Sequence, residues 1–124
     1  SRKRLKGAPT TAEVLAEFAA RTDGTVLVAH NIGFDWSFIE RAALASRVDV
    51  VPSSRLCTLW LSRRLDPDRE LTHRLSDLCD RYGIVNERPH DAVYDARATA
   101  LVLTHLLAAH HISNAAELTP FYER

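Results

Sequence analysis

The run Thr25-Val-Leu-Val-Ala29 restricts the fold of this chain more than any other feature. It is nearly continuous in apolar, β-branched residues, and such a run predicts a strand covered on both faces. Helical patterns flank it. Upstream, Thr10-x-x-Glu13 is a capping box ahead of Val14, Leu15 and Phe18, and Asp23-Gly24 supplies the turn into the strand. Downstream, Gly33 is expected to break the run, and a helix from about Asp35 to Ala45 carries Phe38, Ile39 and Ala42 at helical spacing. Strands alternating with helices point to a layered α/β domain rather than a bundle.

The remaining segments repeat that alternation. Val48–Val51 and Pro52-Ser-Ser read as a loop or short strand. Arg55–Thr58 reads as a second strand, running into a short helix with Leu59, Leu61 and Leu65. Asp66-Pro67-Asp68 is a breaker. Leu71, Leu75, Leu78 and Tyr82 then mark one face of a helix that Gly83 is placed to cap. Ile84–Pro89 is a connecting loop. Asp91 to about His110 is the longest helix, with Val93, Ala96, Ala100, Leu103 and Leu107 as its expected core stripe. Asn114-x-x-Glu117 caps a last short helix, and Pro120 ends regular structure. Two strands are too few for a self-sufficient sheet.

At 124 residues, the chain has room for one domain, residues 1–124. Sixteen basic and sixteen acidic residues cancel, so overall charge neither supports nor excludes a nucleic-acid partner, and only local patches can. Arg2, Lys3, Arg4 and Lys6 form one basic run and Arg63-Arg64 another. Such runs are usually solvated faces, though either could touch a nucleic-acid backbone. Cys57 and Cys79 lack CxxC spacing and read as buried free thiols in a reducing cytosol. No segment reads as a signal peptide or bilayer span, so the expected location is cytoplasmic. The chain begins at Ser1 and contains no methionine, which suggests part of a longer protein.

Two polar clusters carry the chemistry. The first is Val28-Ala-His-Asn31-x-x-Phe34-Asp35, and the second is Pro89-His90-Asp91-Ala92-x-x-Asp95-Ala96. Asp35 follows the strand and opens a helix, where a carboxylate can face a cleft or simply satisfy free N–H groups. His90 lies just before the long helix, and Asp95 one to two turns inside it. A loop-borne imidazole can therefore swing over a helix-borne carboxylate. Imidazole is the side chain suited to taking a proton near pH 7. Asp91 reads as the helix N-cap. Asp68-Arg-Glu70 has an Asp-x-Glu spacing, but it follows a proline in a turn and reads as helix initiation.

Together the two clusters resemble the second and third motifs of the DEDDh 3′–5′ exonucleases, with the epsilon-type proofreading subunits of bacterial replicative polymerases the nearest likeness. The resemblance runs from about Gly7 to the end of the long helix, and Cys57-Thr-Leu belongs to it. It implies a ribonuclease H-like α/β fold whose N-terminal antiparallel meander, which carries an Asp-x-Glu pair, is missing here. It implies hydrolysis of nucleic acid from the 3′ end to nucleoside 5′-monophosphates with two Mg²⁺ or Mn²⁺ ions. Asp35 and Asp95 are then metal-binding carboxylates and His90 the general base. Asn31 and Phe34 are substrate-side residues. His30 stands with them, although its place before the turn equally suits a structural bond to the loop. The implied partners are a single-stranded or frayed 3′ end of DNA, with RNA possible, and a DNA polymerase subunit by analogy. Two other readings stay open: a non-catalytic binding or assembly module on the same fold, and an RNA-trimming member of the group.

Overall fold

The computed structural model describes residues 7–123. The basic run at Arg2–Lys6 lies outside them. The elements are mixed α/β, in the order α1 (Thr11–Thr22), β1 (Val26–Ala29), α2 (Ile32–Ser46), β2 (Ser54–Cys57), α3 (Thr58–Arg63), α4 (Leu75–Tyr82), α5 (Ala92–Ala109) and a 3₁₀ helix (Ala115–Phe121). Strands β1 and β2 pair in a two-stranded sheet. The Thr25 carbonyl accepts from the Ser53 amide and the Ala29 carbonyl from the Thr58 hydroxyl, so residue numbers rise together and the pair is parallel.

The chain divides into two units. Among the described residues, the first comprises 7–27 and 33–54, and the second 28–32 and 55–123. In the first, Thr10 caps α1 by accepting from the Glu13 amide at 3.1 Å, as its sequence predicts. Asp23 closes the helix, and Gly24 turns the chain at φ +69°. Little of this unit is buried. Leu15 and Ala43 are, whereas Val14, Phe34, Phe38, Leu44 and Val51 are exposed.

The second unit holds the core. Leu56, Leu61, Leu78, Val102 and Leu106 are almost fully buried, with Ile32 and the thiols of Cys57 and Cys79 among the buried residues. Both cysteines are free, as expected, and burial pushes the Cys79 thiol up. Helices α3 and α4 pack on α5. Gly83 caps α4 at φ +68°, which lets the Ile84 amide reach back to the Cys79 carbonyl at 2.8 Å. Asp91 caps α5 through the Val93 amide. The free edge of β2 is taken by the chain end: Glu123 donates to the Arg55 carbonyl, and Tyr122 bridges Leu56 in antiparallel sense.

Five expectations need correction. Strand β1 is half-buried throughout rather than covered on both faces, because among the described residues it has one neighbouring strand. Gly33 does not break the run. Asn31 turns the chain at φ +63°, and α2 starts at Ile32 with Gly33 in its first turn, where one glycine costs only about 1 kcal/mol. On α2, Phe38 is exposed, and Ala43 rather than Ala42 is buried. The buried stripe of α5 is Ala98, Thr99, Val102 and Leu106, whereas Val93 is exposed. This helix is apolar on several faces, so periodicity leaves its rotational phase open until α3 and α4 choose it. Finally, Asp68 and Glu70 initiate no helix. They lie in an irregular segment that also takes in Leu71, and α4 starts only at Leu75.

Candidate active site

Asp95 and His90 meet in the second unit. Asp95 sits in the first turn of α5, half-buried, with its carboxylate turned back on the preceding loop. One oxygen, Oδ1, accepts from the His90 backbone amide at 3.2 Å and from the Asn86 side-chain amide at 2.9 Å. His90 has φ +74°, and the Asp91 amide bonds the Arg88 carbonyl at 3.1 Å. Arg88-Pro89-His90-Asp91 therefore has the proline at the second and the positive φ at the third position of a type II turn, where glycine is usual. A residue with a Cβ enters that region at a cost of about 1–2 kcal/mol. The His90 ring is exposed and, among the described residues, makes no hydrogen bond. The loop thus spends its backbone on Asp95 and leaves the imidazole available to solvent or substrate. In the same helix turn as Asp95, Tyr94 is flanked by the guanidinium groups of Arg88 and Arg97, 5.5 and 5.4 Å from the ring centroid.

His30 and Asn31 belong to the same unit. His30 is half-buried, and both ring nitrogens are engaged. Nδ1 meets the Thr58 hydroxyl, and Nε2 donates to the His73 carbonyl, each at 2.8 Å. His73 is itself held on both sides, by Ser62 Oγ at 2.6 Å and by the Asp66 carboxylate at 2.8 Å. Asp66 also accepts from the amides of Glu70 and Leu71, both at 2.9 Å. The His73 bond first, and then these amides, hold its carboxyl below the usual carboxylate range. A Ser–His–Asp grouping could suggest a nucleophile, but Ser62 is only 1% exposed and no substrate could reach it. The network instead ties the 66–73 segment to the turn carrying Asn31. Asn31 is exposed, with the left-handed backbone that asparagine tolerates better than most residues.

Asp35 and Phe34 lie in the first unit, in the first turn of α2. Asp35 is half-buried. Phe34 is 61% exposed, packed edge-on against Phe38 at 5.0 Å, so it is a surface aromatic rather than a core residue.

Among the described residues, no group of three or more His, Cys, Asp or Glu side chains gathers to hold an ion. Asp95 offers a carboxylate, and the buried Asn86 amide oxygen accepts no hydrogen bond among the described residues. These are hard oxygen donors of the kind Mg²⁺ prefers, but they do not complete a centre. Asn86 and the Asp66–His73 pair are the residues that sequence reasoning missed. Asn86 carries no signal in a loop of ordinary composition, and in the sequence Asp66 is only part of a breaker.

The exonuclease family model RNase_T matches residues 1–103. Among curated proteins, the chain is 37% identical over 99 residues to a DNA polymerase III PolC-type of Latilactobacillus sakei, and 35% identical over 104 residues to that of Bacillus subtilis. It is 39% identical over 101 residues to the Mycobacterium tuberculosis protein named "Putative bifunctional exonuclease/endonuclease protein MT2247". These alignments cover 80%, 83% and 81% of the chain but only 7%, 7% and 16% of the relatives' own lengths. No solved structure matches. No helix among the described residues is long and apolar enough to cross a membrane. With a family model spanning most of its length, this chain belongs to the RNase_T exonuclease family.

Proposed function

We propose that the chain is the greater part of a 3′–5′ exonuclease domain of the DEDDh type, with a ribonuclease H-like fold, that releases nucleoside 5′-monophosphates from single-stranded or frayed 3′ ends of DNA. The observation that carries this reading is the His90 turn. A histidine stands where glycine would be easier, its amide bonds the Asp95 carboxylate, and its ring makes no hydrogen bond among the described residues. That is the arrangement expected of a base that must accept a proton from an attacking water beside a charged ligand.

In this reading Asp35 and Asp95 are ligands for Mg²⁺ or Mn²⁺, and two such ions would supply a nucleophile at neutral pH and offset charge on the phosphate. The described residues do not complete that ligand set, so further oxygen donors are required. Asn86 and the His90 amide hold the Asp95 carboxylate in one orientation. Asn31 and Phe34 contact the terminal nucleotide, the amide at a phosphate or sugar oxygen and the ring against base or ribose. His30, with both nitrogens engaged, supports the Asn31 turn rather than the substrate. The polymerase names of the relatives make proofreading beside a cytoplasmic replicative polymerase the favoured context.

The test is hydrolysis of a 3′-labelled oligonucleotide in Mn²⁺ by the full-length gene product, alongside its Asp95→Asn variant. Loss of mononucleotide release with the fold retained supports the reading. Equal turnover by the two would sink it, and nucleotide binding without turnover by the unmodified protein would favour the non-catalytic module.

A further inference from the structure

The second unit contains a groove of about 880 Å³ between α3, the 66–74 segment and the turn at His30-Asn31. Four arginines line it: Arg63 and Arg64 from α3 and its C-terminal end, and Arg69 and Arg74 from the 66–74 segment. Among the described residues, Asp66 is the one carboxylate in the lining, and its oxygens are engaged by His73 and two backbone amides. Asp68 and Glu70 flank Arg69 in sequence but do not line the groove. Arg74 is paired with Asp77 at 3.1 Å, and Arg64 lies over the Phe121 ring at 4.6 Å. Among the described residues, Arg63 and Arg69 form no ion pair. Arg69 also holds φ +55°, in a segment fixed by the Asp66 carboxylate. Trp60, 59% exposed, lines the same groove.

We propose that this groove is an accessory binding site for a single-stranded nucleic-acid segment, with Arg63 and Arg69 on the phosphates and Trp60 stacking a base. A positive channel with an exposed aromatic is the combination that holds single strands irrespective of sequence, because every base has a π-face and every nucleotide a phosphate. Asn31 also lines the groove, so a strand held here can reach a residue assigned to the terminal nucleotide. In that respect the inference rests on the nuclease reading.

The experiment is equilibrium binding of fluorescent oligothymidylate to the full-length protein in EDTA, across a salt series. Without divalent ions there is no turnover, so binding is measured whether or not the hydrolytic assignment holds, and the hydrolysis assay judges that assignment separately. Arg63→Glu with Arg69→Glu should weaken binding at least ten-fold at low salt. Arg63→Gln with Arg69→Gln, which serves if the reversed pair unfolds, should flatten the log-affinity against log-salt slope by about 1.4, at roughly 0.7 for each phosphate no longer neutralised. Trp60→Ala should cost about ten-fold. Arg21→Glu with Arg47→Glu makes the same net charge change at residues that do not line the groove. If that control loses affinity as much as the Arg63 and Arg69 pair, or if the groove variants bind like the unmodified protein, the proposal is overturned.

Discussion

Replacing His90 by glycine separates stability from function at one residue. Its φ of +74° lies where a Cβ is disfavoured by about 1–2 kcal/mol, and glycine removes that penalty. Glycine also loses more chain entropy on folding, which returns about 0.5–1 kcal/mol. The exposed ring makes no hydrogen bond among the described residues, so its removal forfeits little. The net expectation is a gain of about 0.5–1 kcal/mol. With about 2.1 cal/mol/K of unfolding entropy per residue, this raises Tm by roughly 2–4 °C for a chain of this size. His90→Ala keeps the strain and should leave Tm nearly unchanged. Both variants should lose 10²–10⁴-fold in the chemical step if His90 is the base. The assays are thermal unfolding by circular dichroism and single-turnover hydrolysis of a labelled oligonucleotide by the full-length protein. A fall in Tm for His90→Gly would mean that the side chain holds the turn. Undiminished single-turnover rates would remove it from the chemistry.

Asp95→Ala should abolish hydrolysis and cost about 1–3 kcal/mol, because the Asn86 and His90 N–H groups lose their acceptor, whereas Asp95→Asn should be milder in stability and equally inactive. Urea titration of the two variants checks the difference. Leu106→Ala, at a fully buried position on α5, should cost about 2–5 kcal/mol, while Leu44→Ala, 82% exposed, should change the denaturation midpoint little. Asp66 has a carboxyl lowered in the folded state, so its contribution is complete above about pH 4 and fades as pH falls through its folded value. Asp66→Asn should therefore flatten the acid limb of a Tm–pH curve. Asp77, held down to about 2 chiefly by the Arg74 side chain, works in the same window, so part of the limb should remain. The isolated 124-residue chain should self-associate and hydrolyse poorly, since β1 offers a strand edge and Phe34, Phe38 and Leu44 are exposed. Light scattering and an assay in Mn²⁺ address this, and a clean, active monomer would contradict it.

The features legible from the residues alone are local ones. Thr10, Asp91, Asn114 and Gly83 act on amides or carbonyls two to five residues away, so their caps and the helix ends they fix could be read from spacing. The alternation of helix and strand and the burial of Cys57 and Cys79 were legible for the same reason, since short-range periodicity carries them. The two polar clusters also marked which side chains to look at. How the chain uses them was settled by packing between distant segments. Packing set the phase of α5, because a helix apolar on several faces is turned by its neighbours and not by its own period. It placed Asn86 on Asp95, and it made His90 offer its amide to that carboxylate while its ring stays free. It joined His30 to Thr58 and to His73, 28 and 43 residues away, and so replaced the expected helix at Leu71 by a segment anchored on Asp66. Hydrogen bonds across such separations leave no periodic trace, because their partners are neighbours only once the chain has folded.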